Sequence, residues 1–200
     1  MTSGRTPAAR VTAGAAARQL LARGRNIYLA GFMGTGKSVT ARALGSRLGV
    51  PWADLDAQIE RQAGLSVASI FAQRGEPAFR DLEHEALGCL AAAGGRVVAL
   101  GGGAVCFPRN RALMRASGVV VVLEASPAVI WRRVGGRGGR PLLSGAGGRP
   151  GVEALLRRRR RDYHRYRRRV DTGGLSPRAA AAAVLSALEP ARRSDARTCR

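Results

Sequence analysis

Residues 26–48 read NIYLAGFMGTGKSVTARALGSRL, and the prediction of the fold depends mainly on this segment. Its first five residues, Asn26 to Ala30, form a short apolar and partly β-branched run, which predicts a buried strand. The next eight, Gly31 to Ser38, fit the pattern G-x-x-x-x-G-K-[ST] without a mismatch. Apolar residues then recur at a helical spacing as far as Leu48. Strand, glycine loop and helix in this order predict a phosphate-binding loop.

The residue types of this loop suit a bound triphosphate. Gly34 and Gly36 let the backbone turn its N–H groups inward at a helix N-terminus, which makes a cradle for an anion. We expect Lys37 to reach the β- and γ-phosphate oxygens and the Ser38 hydroxyl to ligate Mg²⁺. Lys37 is also the only lysine among 34 basic residues. A compact ammonium is kept where a flat guanidinium would fit the phosphates less well.

Size and composition indicate an ordinary globular protein. A chain of 200 residues predicts one domain with a sizeable core. No run approaches the ~20 apolar residues that a membrane span needs. The cysteines Cys89, Cys106 and Cys199 are widely spaced and form no CxxC pair or disulfide framework, which favours a reducing cytosol.

The net charge of +21 has two interpretations. It is typical of proteins that bind nucleic acid or polyanionic substrates. The alternative is a compositional bias towards Arg, Ala and Gly, which would also explain the scarcity of lysine. We favour the bias and do not expect nucleic acid as a partner. A helix predicted over residues 152–169, with nine arginines from Arg157 to Arg169, keeps RNA binding as the alternative.

The two ends of the chain are expected to lie outside the fold. Residues 1–24 are rich in Ala, Arg, Ser and Thr and contain no acid. This composition overlaps with that of organelle transit peptides but lacks the apolar segment of a secretory signal. We favour a frayed extension or a start codon placed too early. Residues 25–189 are then the single predicted domain, and residues 190–200 a tail.

Two acids follow a short second strand that we predict over residues 50–53. Asp54 and Asp56 would point to one side if the chain stayed extended. Carboxylates at a strand end, downstream of a phosphate loop, suit Mg²⁺ coordination and the handling of a substrate hydroxyl. The alternative is a helix N-cap at Asp56.

A helical region over residues 64–94 is predicted to break at Gly75 and Pro77. Within it, Arg80 and Glu83 are three residues apart and therefore share a helix face, where they can form an ion pair. A solvated surface pair is the alternative for these two residues.

A third strand, residues 96–100, leads into three glycines at 101–103. Glycines after a strand let a ligand approach the main chain, and ligands bind at the carboxyl ends of strands in α/β sheets. A loose turn is the alternative. The glycine- and arginine-rich segment 135–151 indicates a mobile lid that brings positive charge over phosphates, with a flexible linker as the alternative.

Taken together, these motifs resemble the shikimate kinase family from about Asn26 to Leu188. The matching segments are GFMGTGKS (31–38), DLD (54–56), GEPAFRDLE (75–83), LGGGA (100–104), RPLL (140–143) and VDTGGLSP (170–177). The phosphate loop alone indicates only a nucleoside triphosphate, whereas the ordered combination is specific. The resemblance implies a P-loop NTPase-type three-layer α/β/α fold with a five-stranded parallel sheet, a helical substrate-binding insert near 64–94 and a lid near 135–151.

The family transfers the γ-phosphate of ATP to the 3-hydroxyl of shikimate, on the route to chorismate and aromatic amino acids. The resemblance therefore implies a monomeric cytoplasmic kinase that uses ATP and Mg²⁺ and has no membrane partner. A gluconate-kinase-like enzyme is the alternative among metabolite kinases, although the FRxxE and GGG features argue against it. An RNA-binding phosphate-loop protein is the alternative from another class.

The resemblance also implies roles for single residues. Shikimate would contact Asp56, Arg80, Gly102, Gly103 and Arg159. The nucleotide would contact Gly34, Thr35, Gly36, Lys37, Ser38, Val39, Arg133, Arg140 and Pro177. Mg²⁺ would be held by Ser38 and, through water, by Asp54. Lys37 and the lid residue Arg140 would neutralise the transferred phosphoryl group, and Asp56 is the candidate base.

The choice of Arg159 depends on its position four residues before Tyr163. Here the sequence departs from the family, which commonly has a proline and a leucine before that tyrosine. Because Arg159 lies in a run of five arginines, Arg160 and Arg161 remain alternatives.

Overall fold

The computed structural model describes residues 14–134 and 148–190. Within them, five parallel strands form one sheet in the order β2-β3-β1-β4-β5. The strands are β1 (Asn26–Gly31), β2 (Trp52–Asp54), β3 (Val97–Ala99), β4 (Gly118–Glu124) and β5 (Arg169–Asp171). The predicted five-stranded parallel sheet is confirmed.

Eight α-helices and one 3₁₀ turn connect or flank these strands in the described ranges. The helices are α1 (Ala15–Ala22), α2 (Lys37–Leu48), α3 (Leu55–Ala63), α4 (Val67–Ala93), α5 (Pro108–Ser117), α6 (Pro127–Val134), α7 (Arg149–Tyr163) and α8 (Pro177–Leu188), and the 3₁₀ turn is Ala104–Cys106. None of these helices is both long enough and apolar enough to cross a membrane.

The sheet is the middle of three layers because its strands are apolar on both faces. Tyr28 and Val98 point into a cluster that includes side chains of α3 to α7. Ile27 and Leu29 point into a second cluster with α1, α2 and α8. The predicted α/β/α architecture is confirmed.

The central position of β1 places the phosphate loop. β1 pairs with β3 on one side and with β4 on the other. The connection after β1 runs to β2 on one side of it, whereas the connection after β3 crosses to β4 on the other side. Such a switch point opens a crevice at the carboxyl ends of the strands. The loop after β1 and the glycines after β3 therefore meet in one place.

The expectation that residues 1–24 lie outside the fold is wrong for Ala15–Ala22. These residues form α1, and its Ala17 and Leu21 are buried in the second cluster. The Gly14 N–H also donates to Glu189 Oε1 at 3.0 Å. The spacing of Ala17 and Leu21 is that of one helix face, which the arginine-rich composition obscured. Residues 1–13 lie outside the described ranges.

The predicted break in the helical insert is confirmed. Gly75 has φ 76° and ψ 175°, a non-helical conformation in the middle of α4. Another boundary was wrong: the helix predicted over 152–169 begins at Arg149 and ends at Tyr163, because Arg169 belongs to β5. Of the predicted lid, residues 135–147 lie outside the described ranges, and residues 149–151 form the first turn of α7.

Candidate active site

Carbonyl groups of the phosphate loop accept hydrogen bonds from side chains of the protein. Gly34 and Gly36 have φ values of 79° and 87°, which favour glycine and turn the chain into α2. The Phe32 carbonyl oxygen accepts from Thr35 Oγ1 at 2.8 Å and from Lys37 Nζ at 3.0 Å. This arrangement suits an anion cradle at the N-terminus of α2.

Two side chains from other elements donate hydrogen bonds to two further carbonyl groups of the loop. Arg133 Nη1 donates to the Gly34 oxygen at 3.1 Å, and its Nη2 donates to the Thr172 oxygen at 2.8 Å. Thr172 Oγ1 in turn donates to the Thr35 oxygen at 2.9 Å and is fully buried. Sequence reasoning assigned no role to Thr172, although it lies in the VDTGGLSP segment. The loop after β5 is thereby tied to the phosphate loop.

Ser38 and Asp54 bring two oxygen ligands together beside the loop. Ser38 Oγ donates to Asp54 Oδ2 at 2.5 Å. The other oxygen, Asp54 Oδ1, accepts from the Asp56 N–H at 3.0 Å and caps α3. The N-cap is therefore Asp54, and the predicted cap at Asp56 is wrong. The extended conformation predicted through both acids is also wrong, because α3 begins at Leu55.

This pair fits the preferences of Mg²⁺, which takes oxygen ligands and is usually bound through one or two side chains plus substrate phosphates. In residues 14–134 and 148–190, no group of three or more His, Cys, Asp or Glu side chains is placed to hold a metal ion. Ser38 and Asp54 alone supply fewer oxygen ligands than Mg²⁺ takes, so phosphates or waters would have to supply the others.

Each of the three glycines after β3 faces a different charged side chain. A Cβ atom on Gly101 would lie 2.7 Å from Asp56 Oδ1, and one on Gly103 would lie 3.0 Å from both Nη atoms of Arg80. A Cβ on Gly102 would lie 3.3 Å from Arg159 Nη1. The glycines therefore leave room in which Asp56, Arg80 and Arg159 converge, and a loose turn does not describe them.

Arg80 is buried, so the surface ion pair considered from the sequence does not describe it. Its Nη1 donates to Glu83 Oε1 at 3.1 Å, and its Nη2 donates to Glu76 Oε1 at 2.8 Å. The guanidinium carbon also lies 5.1 Å from the centroid of the Phe79 ring and 4.7 Å from that of Phe107. Two carboxylates and two rings thus fix the direction in which this cation points.

Glu83 is completely buried behind Arg80. Burial raises the pKa of Glu83 above its ordinary value, and the Arg80 charge opposes that rise. Asn110 Nδ2 also donates to Glu83 Oε2 at 3.2 Å. Asn110 was not predicted to be near the site, because nothing in its local sequence distinguishes it.

The second arginine of the site comes from α7. Arg159 lines the cavity, whereas Arg160 and Arg161 line a separate depression on the protein surface. Four residues later on the same helix, Tyr163 Oη donates to the Gly102 carbonyl oxygen at 2.7 Å. The side chains of Arg159 and Tyr163 therefore both lie against Gly102. Sequence reasoning used Tyr163 only as a marker for Arg159 and missed this contact.

One cavity of about 1200 Å³ joins these groups. Its lining includes the phosphate-loop residues Gly34, Thr35, Gly36, Lys37, Ser38 and Val39, the acids Asp54 and Asp56, the triplet 101–103, and Arg80, Arg133, Arg159 and Pro177. Every predicted site residue except Arg140 is in this set. Arg140 lies outside the described ranges.

Comparison with known proteins shows that the chain is similar to shikimate kinases. The family model described as shikimate kinase matches residues 33–189. The shikimate kinase of Geobacter sulfurreducens is 48% identical over 153 residues, which cover 76% of this chain and 84% of the relative. That of Pelotomaculum thermopropionicum is 42% identical and covers 76% of this chain and 88% of the relative.

The chain belongs to the shikimate kinase family. Among solved structures, the shikimate kinase from Acinetobacter baumannii in complex with shikimate matches with a TM-score of 0.78 at 32% identity, covering 81% of this chain and 91% of that chain. The shikimate kinase from Aquifex aeolicus matches with a TM-score of 0.67 at 30% identity, covering 82% of this chain and 95% of that chain. A gluconokinase from Sinorhizobium meliloti, at 20% identity and a TM-score of 0.53, shares the fold alone.

Proposed function

We propose that this shikimate kinase transfers the γ-phosphate of ATP to the 3-hydroxyl of shikimate in the cytoplasm, as part of aromatic amino acid biosynthesis. The observation that carries the proposal is the single cavity that joins a phosphate loop to two arginines and a carboxylate. A kinase must hold a triphosphate and an acceptor side by side, since positioning supplies much of the catalysis.

Arg80 and Arg159 bind the carboxylate of shikimate. They approach the glycine triplet from α4 and α7, and Cβ atoms on Gly103 and Gly102 would lie 3.0 Å and 3.3 Å from their guanidinium nitrogens. Arginine recognises a carboxylate through parallel N–H···O bonds, which fix the orientation of the acid as well as its position. Gly102 and Gly103 leave space for its ring.

The reacting end of the acceptor lies near Asp56. We assign Asp56 as the base that receives the proton of the 3-hydroxyl. Lys37 and the N–H groups of residues 34–39 neutralise charge on the phosphates, and we assign the same role to Arg140. Ser38 and Asp54 are the side chains that would hold Mg²⁺, which neutralises the β- and γ-phosphate oxygens when it is bound.

The nucleoside end of ATP lies between Arg133 and Pro177. Both line the cavity on the side of the loop that follows β5. The hydrogen bonds of Arg133 to the Gly34 and Thr172 carbonyl oxygens hold its guanidinium plane in place, so that it can stack on adenine. We propose that the protein acts as a monomer and that the reaction involves no nucleic acid or membrane.

The decisive experiment is an ADP-release assay with three acceptors: shikimate, shikimate lacking its 3-hydroxyl, and gluconate. We expect turnover with shikimate alone. Release of ADP at an equal rate with the deoxy compound would contradict transfer to the 3-hydroxyl, and preference for gluconate would identify a different sugar-acid kinase.

A control variant separates the assigned site from a contaminating activity. Lys37→Ala removes the ammonium from the phosphate loop and should lower kcat by a factor of about 100 or more. Its thermal unfolding should resemble that of the wild-type protein. Unchanged turnover in this variant would contradict the assignment of the phosphate loop.

A further inference from the structure

A second concave surface lies on the outer side of α7 and the turn after it. All five of its lining side chains are arginine or histidine: Arg157, Arg160, Arg161, His164 and Arg165. Arg157, Arg160 and Arg161 recur at a helical spacing on α7, and His164 and Arg165 follow in the turn; we call these five residues the arginine face. The depression measures about 610 Å³ and, among the described residues, shares no lining residue with the kinase cavity.

In the described ranges, carboxylates lie beside two of the five side chains of this face. Arg165 pairs with Asp162 at 3.2 Å, and His164 Nε2 lies 3.9 Å from Glu124 Oε1. In the described part of the chain, Arg157, Arg160 and Arg161 form no ion pair with an Asp or Glu. The remaining residues of the sequence, 1–13, 135–147 and 191–200, add a single acid, Asp195. Because like charges three and four residues apart repel each other, an external anion would stabilise this face.

The geometry points to the phosphate backbone of a nucleic acid as the partner of the arginine face. From Arg157 to Arg161 the helix rises by ~6 Å, and His164 and Arg165 extend the depression into the turn after Tyr163. Each strand of a duplex carries one charge per ~3.4 Å of its axis. The face can therefore reach several phosphates at once. Arginine forks match phosphate oxygens in two parallel hydrogen bonds, which an isolated point charge does not.

A membrane surface fits these residues less well. The large hydrophobic side chains exposed in the described ranges are Val39, Trp52 and Leu175, none of which lies on α7. Helices that lie on membranes bury an apolar face between the headgroups. Tyr163 and Tyr166 pack towards the core rather than outward, so neither tyrosine of this segment is placed to stack on a base. The protein would then contact only the backbone of the nucleic acid, and binding would show no sequence preference.

Compositional bias explains how many arginines the chain has but makes no distinction among surface positions. Binding through net charge and binding through the arginine face therefore predict different effects when three exposed arginines are substituted. If only the net charge matters, removing any three exposed arginines weakens binding equally. If the arginine face is the site, only its own arginines matter.

The test measures binding of a fluorescently labelled 20-nucleotide oligouridylate by anisotropy between 50 and 300 mM KCl. We expect a dissociation constant of about 10⁻⁶ to 10⁻⁴ M near physiological salt, with a steep linear dependence on log salt. The triple variant Arg157→Gln, Arg160→Gln, Arg161→Gln should lower that slope by about 2, because each lost phosphate contact removes about 0.7.

The matched control replaces three exposed arginines of α2 and α3: Arg42→Gln, Arg47→Gln and Arg61→Gln. It removes the same net charge and should change the slope by less than about 1. Equal losses in the two triple variants would overturn the proposal, as would the absence of binding by the wild-type protein at 50 mM KCl. If the first triple variant does not fold, each single substitution should lower the slope by about 0.7, and unchanged slopes in all three would overturn it as well.

Discussion

Residues 101 to 103 show how the absence of side chains can define a binding site. Gly103 has φ −102°, which any residue can adopt, so only space requires a glycine there. An added methyl group would meet both Nη atoms of Arg80 at 3.0 Å. The guanidinium cannot retreat easily, because Glu76 and Glu83 hold it from two sides.

Gly103→Ala should therefore act on one substrate. We expect the KM for shikimate to rise roughly tenfold, equivalent to about 1.4 kcal/mol, while the KM for ATP stays within twofold. Steady-state kinetics with each substrate varied in turn would measure this. Gly88→Ala is the matched control, because nothing lies within 4 Å of an added Cβ at that helical position. A parallel rise in both KM values would contradict the steric account.

Glu83 makes the stability of the protein depend on pH, and the direction of its pKa shift sets the sign of that dependence. Burial raises its pKa above 4.5, despite the opposing effect of Arg80, and the neighbouring charge of Asp56 adds to the rise. A carboxyl with a higher pKa in the folded state binds its proton more tightly there. The contribution of Glu83 to the free energy of unfolding therefore falls as pH rises from 4.5 through the raised pKa.

The variant Glu83→Gln should lack this contribution. The free energy of unfolding of the wild-type protein, minus that of the variant, should decrease as pH rises from 4.5 through the raised pKa of Glu83. Urea titrations at intervals of pH would measure the difference. Glu85→Gln removes an exposed carboxylate from the same helix and serves as the control. A difference that stays constant or grows with pH would show that the sign is wrong.

At the scale of elements, α7 contributes two side chains to the middle glycine. Tyr163 is buried, and burial raises the pKa of its hydroxyl, so this group stays protonated and donates to the Gly102 carbonyl oxygen. Arg159 lies one turn earlier on the same face. The hydrogen bond thus anchors the helix that carries a substrate-binding arginine.

Tyr163→Phe removes only the hydroxyl and should weaken shikimate binding more than ATP binding. Leaving the Gly102 oxygen without its donor costs about 1–3 kcal/mol, so we expect the KM for shikimate to rise about fivefold or more. Tyr166→Phe makes the same chemical change at a half-buried tyrosine of the same segment and should have little effect. Identical kinetics for the two variants would contradict the anchoring role.

Elements with continuous apolar runs were predictable from the sequence. The hydrogen bonds that connect the elements at the site were harder to predict. The strand before Gly31 and the break at Gly75 both follow from local residue types. The cap at Asp54 was missed, because sequence reasoning considered only Asp56 as a cap and α3 begins two residues earlier than that cap implies, at Leu55. Thr172 and Tyr163 bond to backbone carbonyl oxygens far away in sequence, and no local pattern marks such contacts.

At the scale of the whole molecule, α1 closes one side of the core. Leu21 is 6% exposed and packs in the cluster that contains α2 and α8. Sequence reasoning placed this segment outside the fold because composition averaged over residues 1–24 conceals a short helix. The sequence also showed that arginine is concentrated in residues 157–169, but not that Arg160 and Arg161 line a depression separate from the cavity that Arg159 lines.

Leu21→Ala should lower the free energy of unfolding by about 2–4 kcal/mol, because it leaves a cavity that the sheet cannot fill. Chemical denaturation would measure the change. Leu20→Ala, at a partly buried position of the same helix, should cost less. Equal and negligible effects of the two substitutions would indicate that α1 contributes nothing to the stability of the core.

The solitary lysine of the phosphate loop has a practical consequence. Lys37 carries the only side-chain amine of the chain, and it lines the catalytic cavity. Apart from the N-terminus, reagents that acylate amines have one target, so attaching the enzyme to a sensor surface by amine coupling would block the very site under study. The same property makes peptide mass mapping after acylation, with and without ATP, a direct footprint of nucleotide occupancy. Immobilisation through the exposed thiol of Cys89 would avoid that site.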